Sequence, residues 1–279
     1  MNKFIPFYIN SVFVITSPRP GEEGVTRRLV ENIADASNNG GHFNLTHVSL
    51  YSGENYFQFI EGICKQIEQG LKPLIHFDMH GCEERGLEIG VSGEFIHWDF
   101  VVETLRILNE QLQNELFVLM TACHGLHTIL PISFEKTAPF LCLIAPEEEI
   151  YVADVEDKIP AFYQELFATA SLDSAFLKLG SKFSNFNCVE FLFRVLAIYI
   201  KKACIGAGGR ERREELLTQI MQTSLGDTPE MVTDYRNKVK QHIKPDQALL
   251  ERYTSRFLMG KNFDVRIEEL LAEVERVNV

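Results

Sequence analysis

Pro73-Leu74-Ile75-His76-Phe77-Asp78-Met79-His80-Gly81 is a short, largely apolar run that ends on a histidine and a glycine. A run of this length, closed by a turn residue, reads as a strand buried on both faces, as in parallel sheets. A second run, Leu116-Phe117-Val118-Leu119-Met120-Thr121-Ala122-Cys123-His124-Gly125, repeats the pattern and ends on a cysteine. If these strands are parallel neighbours, His80 and Cys123 meet at their carboxyl ends. Open α/β sheets place their sites there, and a thiol beside an imidazole is an activated nucleophile.

Upstream, Ser11-Val12-Phe13-Val14-Ile15-Thr16 is a β-branched strand stopped by Ser17-Pro18-Arg19-Pro20-Gly21. Val25, Leu29, Ile33 and Ala36 then recur at helical spacing, and Asn38-Asn39-Gly40-Gly41 ends that helix. Residues 45–50 form a second strand. Phe59, Ile63 and Ile67 mark a second helix, which Gly70 closes. The order βαβαβ predicts a parallel sheet with helices on both faces.

Between the two decisive strands, Gly86, Gly90 and Gly93 punctuate short alternating pieces, which predicts a small hairpin over the carboxyl end. A helix with Val102, Leu105, Leu108 and Leu112 inward follows. Phe140-Leu141-Cys142-Leu143-Ile144-Ala145 is a fifth strand, residues 153–169 a helix, and residues 172–179 a shorter one. Beyond these, Val189, Leu192, Phe193, Leu196, Ile200 and Ala203 form a helical stripe, read as a core face, with docking of a partner helix as the alternative. Gly206-Ala207-Gly208-Gly209 reads as a loop, and not as a phosphate cradle, since no strand precedes it. The charged run 210–215 reads as a solvated helix face, and residues 210–279 as three or four helices. The expected division is an α/β domain over 1–185 and a helical extension over 186–279.

The 279 residues carry a net charge of −12, with 46% hydrophobic content. A core of ordinary size follows. Such acidity gives no electrostatic footprint for nucleic acid or for an anionic membrane. Six cysteines lie scattered without a C-x-x-C pair, which suggests a reducing, cytoplasmic setting. Met1 to Pro6 has no long apolar stretch and no cleavage site, so no signal peptide is expected. The apolar residues after Val189 are interrupted by Glu190, Arg194, Lys201 and Lys202, too often to span a bilayer.

Acyl transfer needs a nucleophile, a base and donors for the oxyanion. Cys123 and His80 supply the first two. The N–H groups of Cys123 and Gly81 are the expected donors, since glycine after the base lets backbone approach a substrate closely. At these residues the chain resembles the caspase-like cysteine peptidases, and among them the bacterial CHAT type. The likeness rests on the apolar block with His80-Gly81, then the apolar block with Thr121-Ala122-Cys123-His124-Gly125. In the caspase signature the histidine lies about 50 residues before the cysteine; here it lies 43 before. Residues 140–146 and 159–166 look like the fifth strand and following helix of CHAT proteins, so the likeness covers roughly residues 10 to 180.

The resemblance implies a caspase-like fold and cleavage of a protein substrate without a metal or other cofactor. It also implies control by an activator or sensor acting in trans, in bacterial defence against phage or in programmed cell death. Thr121 stands where caspases carry glutamine and metacaspases aspartate, so neither preference for the P1 residue carries over. Arg19, near the position of a caspase S1 arginine, would suit an acidic P1. Glu83 and Glu84 would suit a basic one, and His124 flanks the nucleophile. Asp78, on the same strand face as His76 and His80, is a candidate third member of a triad.

Two other readings stand beside the peptidase. One is a caspase-fold scaffold without catalysis. The other is a metal site drawing on His76, His80, Cys82, Cys123, His124 and His127, ligand types that zinc accepts.

Overall fold

The computed structural model describes residues 8–39, 43–223, 228–261 and 266–277. Gly40 and Gly41, read as a helix end, and Met1 to Pro6, read for a leader, lie outside the described residues. Two compact units divide between Cys188 and Val189.

The first unit is α/β, with a mostly parallel mixed sheet flanked by helices. Its order is β1 (Ser11–Ser17), α1 (Glu23–Asn39), β2 (Asn44–Ser49), α2 (Gly53–Ile67), β3 (Pro73–Cys82), β4 (Gly86–Ile89), β5 (Glu94–Ile96), α3 (Trp98–Gln111), β6 (Phe117–Met120), β7 (Cys142–Pro146), α4 (Val152–Thr169), α5 (Leu172–Phe176) and β8 (Phe183–Asn187). Across the sheet the strands run β2-β1-β3-β6-β7-β8. All neighbours are parallel except β7 and β8. β3 outruns the sheet and turns into an antiparallel ladder with β4, which pairs β5; this is the hairpin read from the spaced glycines.

β3 carries the pattern that fixes the layers. His76 meets Tyr163 of α4, while its neighbour Phe77 meets Tyr56 of α2. Successive strand residues face opposite ways, so α4 and its packing partner α1 cover one face, and α2 and α3 the other. Both faces are therefore dry. Val12, Val14, Ile15, Ile75 and Phe77 have essentially no exposure, which is why β1 and β3 read as largely apolar runs. The chain leaves β1 toward β2 and returns past it to β3. That reversal opens a crevice at the carboxyl ends of β1 and β3, where such sheets bind ligands.

The second unit is helical: the rest of α6 (Cys188–Ala203), then α7 (Gly206–Thr223), α8 (Pro229–His242), α9 (Gln247–Phe257) and α10 (Ile267–Arg276). Phe191 against Phe257 and Tyr199 against Tyr253 join α6 to α9. The stripe from Val189 to Ile200 is buried, as a core face requires. The loop expected at Gly206–Gly209 is instead the first turn of α7. A Cβ at Gly208 would lie 1.9 Å from the Lys202 carbonyl oxygen, and one at Gly209 2.5 Å from that of Cys204. These glycines let the start of one helix press against the end of the last, and that contact outweighs their poor helix propensity. Among the described residues no helix is long and apolar enough to cross a membrane.

Candidate active site

The β3–β6 register pairs Leu74 with Phe117 and continues unbroken to Phe77 with Met120, an offset of 43 positions. The ladder extends one step further through the Thr121 N–H, which donates to the Phe77 carbonyl at 2.9 Å. Side-chain bonding continues the register, since Thr121 Oγ1 donates to Asp78 Oδ1 at 2.7 Å. The same offset brings His80 level with Cys123. Parallel partners at one level face the same way, so the two chemically active side chains emerge together on the face covered by α1 and α4.

They open into one cavity of about 130 Å³, lined also by Ser17 and Pro18 from the end of β1, Glu22 before α1, and Val152 and Val155 of α4. His80 Nε2–H donates to Glu22 Oε2 at 2.7 Å. This fixes the tautomer and leaves Nδ1 with the free lone pair. Glu22 is itself held by the Arg19 N–H at 3.0 Å. Burial pushes the Glu22 carboxyl up, but the bonds from the His80 ring and the Arg19 N–H outweigh it and keep the group below the usual carboxylate range.

Cys123 sits in a tight turn. Gly125 N–H donates to the Ala122 carbonyl at 3.1 Å, and His124 is left-handed with φ 58°, a conformation uncommon outside glycine. Strained turns of this kind cluster at functional sites. The turn leaves the Cys123 N–H without a protein acceptor among the described residues. Ile150 holds the sulfur: its N–H donates to Sγ at 3.4 Å, and Sγ–H points to its carbonyl at 3.8 Å. Gly81 lies against the other side of the turn. A Cβ there would fall 2.0 Å from the Cys123 carbonyl oxygen, so only glycine permits the strand end to approach the Cys123 turn.

Asp78 makes no hydrogen bond to His80; the carboxylate that orients the imidazole is Glu22. Asp78 instead ends a buried donor chain. Tyr163 O–H donates to His76 Nδ1 at 3.0 Å, and His76 Nε2–H to Thr121 Oγ1 at 3.2 Å. Thr121 then donates to Asp78. Burial lowers His76 to about 3, so it is neutral and matches this direction. Burial raises the Asp78 carboxyl, partly offset by the Thr121 bond and by His80.

Of the pocket residues expected from sequence, Thr121 lines the cavity, whereas Arg19, Glu83 and His124 do not. Arg19 forms a two-pronged pair with Glu88 at 2.8 and 2.5 Å. The exposed Glu83 offers its carbonyl to Trp98 Nε1 and His127 Nδ1. The His124 ring stacks edge-on with His127. Among the described residues no three His, Cys, Asp or Glu side chains are grouped as metal ligands. No family model matches the chain, and no curated protein matches it in sequence.

Proposed function

We propose that this chain is a caspase-like cysteine endopeptidase whose catalytic pair is His80 and Cys123. The observation that carries the reading is the shared register: the separation of the two residues equals the strand offset, so both stand at one level of one cavity. Glu22 supports it by accepting from Nε2–H, so that in the neutral imidazole the lone pair is on Nδ1.

In this mechanism Nδ1 of His80 takes the proton from Cys123, and the thiolate attacks the scissile carbonyl. The Cys123 N–H, free of other acceptors among the described residues, receives the developing oxyanion, with the Gly81 N–H as its expected companion. His80 returns the proton to the leaving amine as the thioester forms. It then removes a proton from water, which hydrolyses the thioester and frees Cys123. Glu22 stabilises the imidazolium at each stage. The resting sulfur lies against the Ile150 backbone, so substrate must displace that contact. Control by a protein activator in trans fits such a resting state, and a role in bacterial defence or cell death follows from the family resemblance alone.

The test is cleavage of a mixed peptide library by the full chain and by Cys123→Ala, each with and without lysate from a stressed bacterial host. Cleavage lost in the variant is the expected result. Equal silence in all four arms, with no difference in labelling by a thiol-reactive probe, would replace the enzyme with a caspase-fold scaffold.

A further inference from the structure

The cavity beside Cys123 has an electrostatic character that the catalytic pair does not need. Among the described residues its titratable lining, besides the Cys123 thiol itself, is three carboxylates, Glu22, Asp78 and Glu156, and one imidazole, His80. Among the described residues no lysine or arginine is in its walls. Two of the carboxylates are already matched. Glu22 binds His80, and Glu156 accepts from Arg28 Nη2 at 2.8 Å and Nε at 3.1 Å. Asp78 is different: its one protein donor among the described residues is the Thr121 hydroxyl, on Oδ1, and Oδ2 receives none.

Resting on the peptidase reading, we infer that Asp78 is the specificity residue of this site and receives the cationic end of a lysine or arginine at P1. The rest of the cavity suits such a side chain. Val25, Leu29, Val152 and Val155 supply apolar wall for the methylene stem, which basic side chains bury while their charge reaches a polar partner. The donor chain from Tyr163 through His76 to Thr121 holds Asp78 from behind, so its free oxygen keeps its position. A cation then supplies the charge-assisted bonds that the protein leaves unmade. An acidic P1 residue meets three carboxylates and no cation, because the nearby Arg19 is committed to Glu88. A purely apolar P1 would leave Asp78 desolvated and unpaired, which is costly.

Two measurements test this. The first needs no turnover: the full chain with Cys123→Ala is titrated with fluorescent peptides identical except for arginine or neutral citrulline at P1. The arginine peptide is expected to bind about 10- to 100-fold more tightly. Adding Asp78→Asn, which keeps the shape and an acceptor for Thr121, is expected to erase the difference while the melting temperature stays close to that of Cys123→Ala. Equal binding of the two peptides, or absence of binding by both, overturns the inference. So does a preference that survives Asp78→Asn.

The second measurement is the P1 profile of wild-type cleavage. Cys123-dependent cuts after lysine or arginine support the assignment. Cys123-dependent cuts after acidic or apolar residues overturn it while leaving the peptidase standing, so the two failures are distinct.

Discussion

The His80 imidazole and the Glu22 carboxylate meet at 2.7 Å across 58 positions of sequence. Glu22 stands in the turn before α1, and His80 at the end of β3. The topology that seats β1 beside β3 brings them together. The pairing sets which nitrogen of the imidazole is free to act.

In the proposed mechanism Glu22 acts through His80, so its loss should reduce turnover and not affinity. In Glu22→Ala, kcat is expected to fall about 10²-fold, in keeping with removal of the group that orients a general base. KM should change little, and the melting temperature should stay close to wild type because the pair is half-exposed. Steady-state kinetics on a cleaved peptide read both constants. Wild-type kcat in the variant would remove Glu22 from the mechanism.

Gly81→Ala tests the approach of β3 to the Cys123 turn. The added methyl would meet the Cys123 carbonyl oxygen at 2.0 Å and its carbon at 3.0 Å, both backbone atoms that cannot rotate away. The strand end or the turn must shift, so a destabilisation of about 1–3 kcal/mol is expected, with loss of Cys123-dependent cleavage. Urea unfolding and peptide cleavage measure the two effects. Unchanged values for both would mean that the contact is not made in solution.

Much of this was legible because the two decisive strands are buried on both faces and end on reactive residues. The spacing from His80 to Cys123 is the strand register itself. Glu22 was not legible: nothing local marks it, and only the return of the chain past β1 puts it over His80. β8 was missed because Phe183-Ser184-Asn185-Phe186-Asn187 is a short edge strand with polar residues at three of five positions, too brief for an alternation to register. The helix start at Gly206–Gly209 was hidden for the opposite reason. Its glycines signal a break locally, while their use is the close contact with the end of α6. Asp78 shares a strand face with His80, but its bond runs sideways to Thr121, just past the end of β6.

The thiols should separate by environment under iodoacetamide. Hydrogen bonding from the Arg85 side chain and backbone pulls the Cys82 thiol below its usual range, so it should alkylate well before the buried thiols. Cys188 is buried and pushed well up by that burial. Cys142 is buried and its Sγ–H donates to Asn185 Oδ1 at 2.9 Å. Neither should react before unfolding. Peptide mapping by mass spectrometry gives the order, and early labelling of Cys142 or Cys188 would contradict the packing of β7 and β8.

His76 makes a prediction about acid stability with a definite sign. Burial holds it neutral in the folded chain down to about 3, against an ordinary value of 6.5. Once the pH falls below 6.5, the unfolded chain takes up a proton that the folded chain refuses. The stabilisation from His76 is therefore complete above 6.5 and drains away as the pH falls toward 3. The slope from this one group approaches about 1.4 kcal/mol per pH unit. His76→Gln keeps a donor and an acceptor but does not titrate. Its unfolding free energy should be lower at pH 7, because the bonds to Tyr163 and Thr121 are remade less well. Between pH 6 and pH 4 it should fall less steeply than wild type by about that slope. Urea titrations at a series of pH values compare the two lines. Parallel lines would mean that His76 gains its proton in the folded chain, and the Tyr163–His76 bond would then have to run in the other direction, with Nδ1–H donating to the Tyr163 hydroxyl.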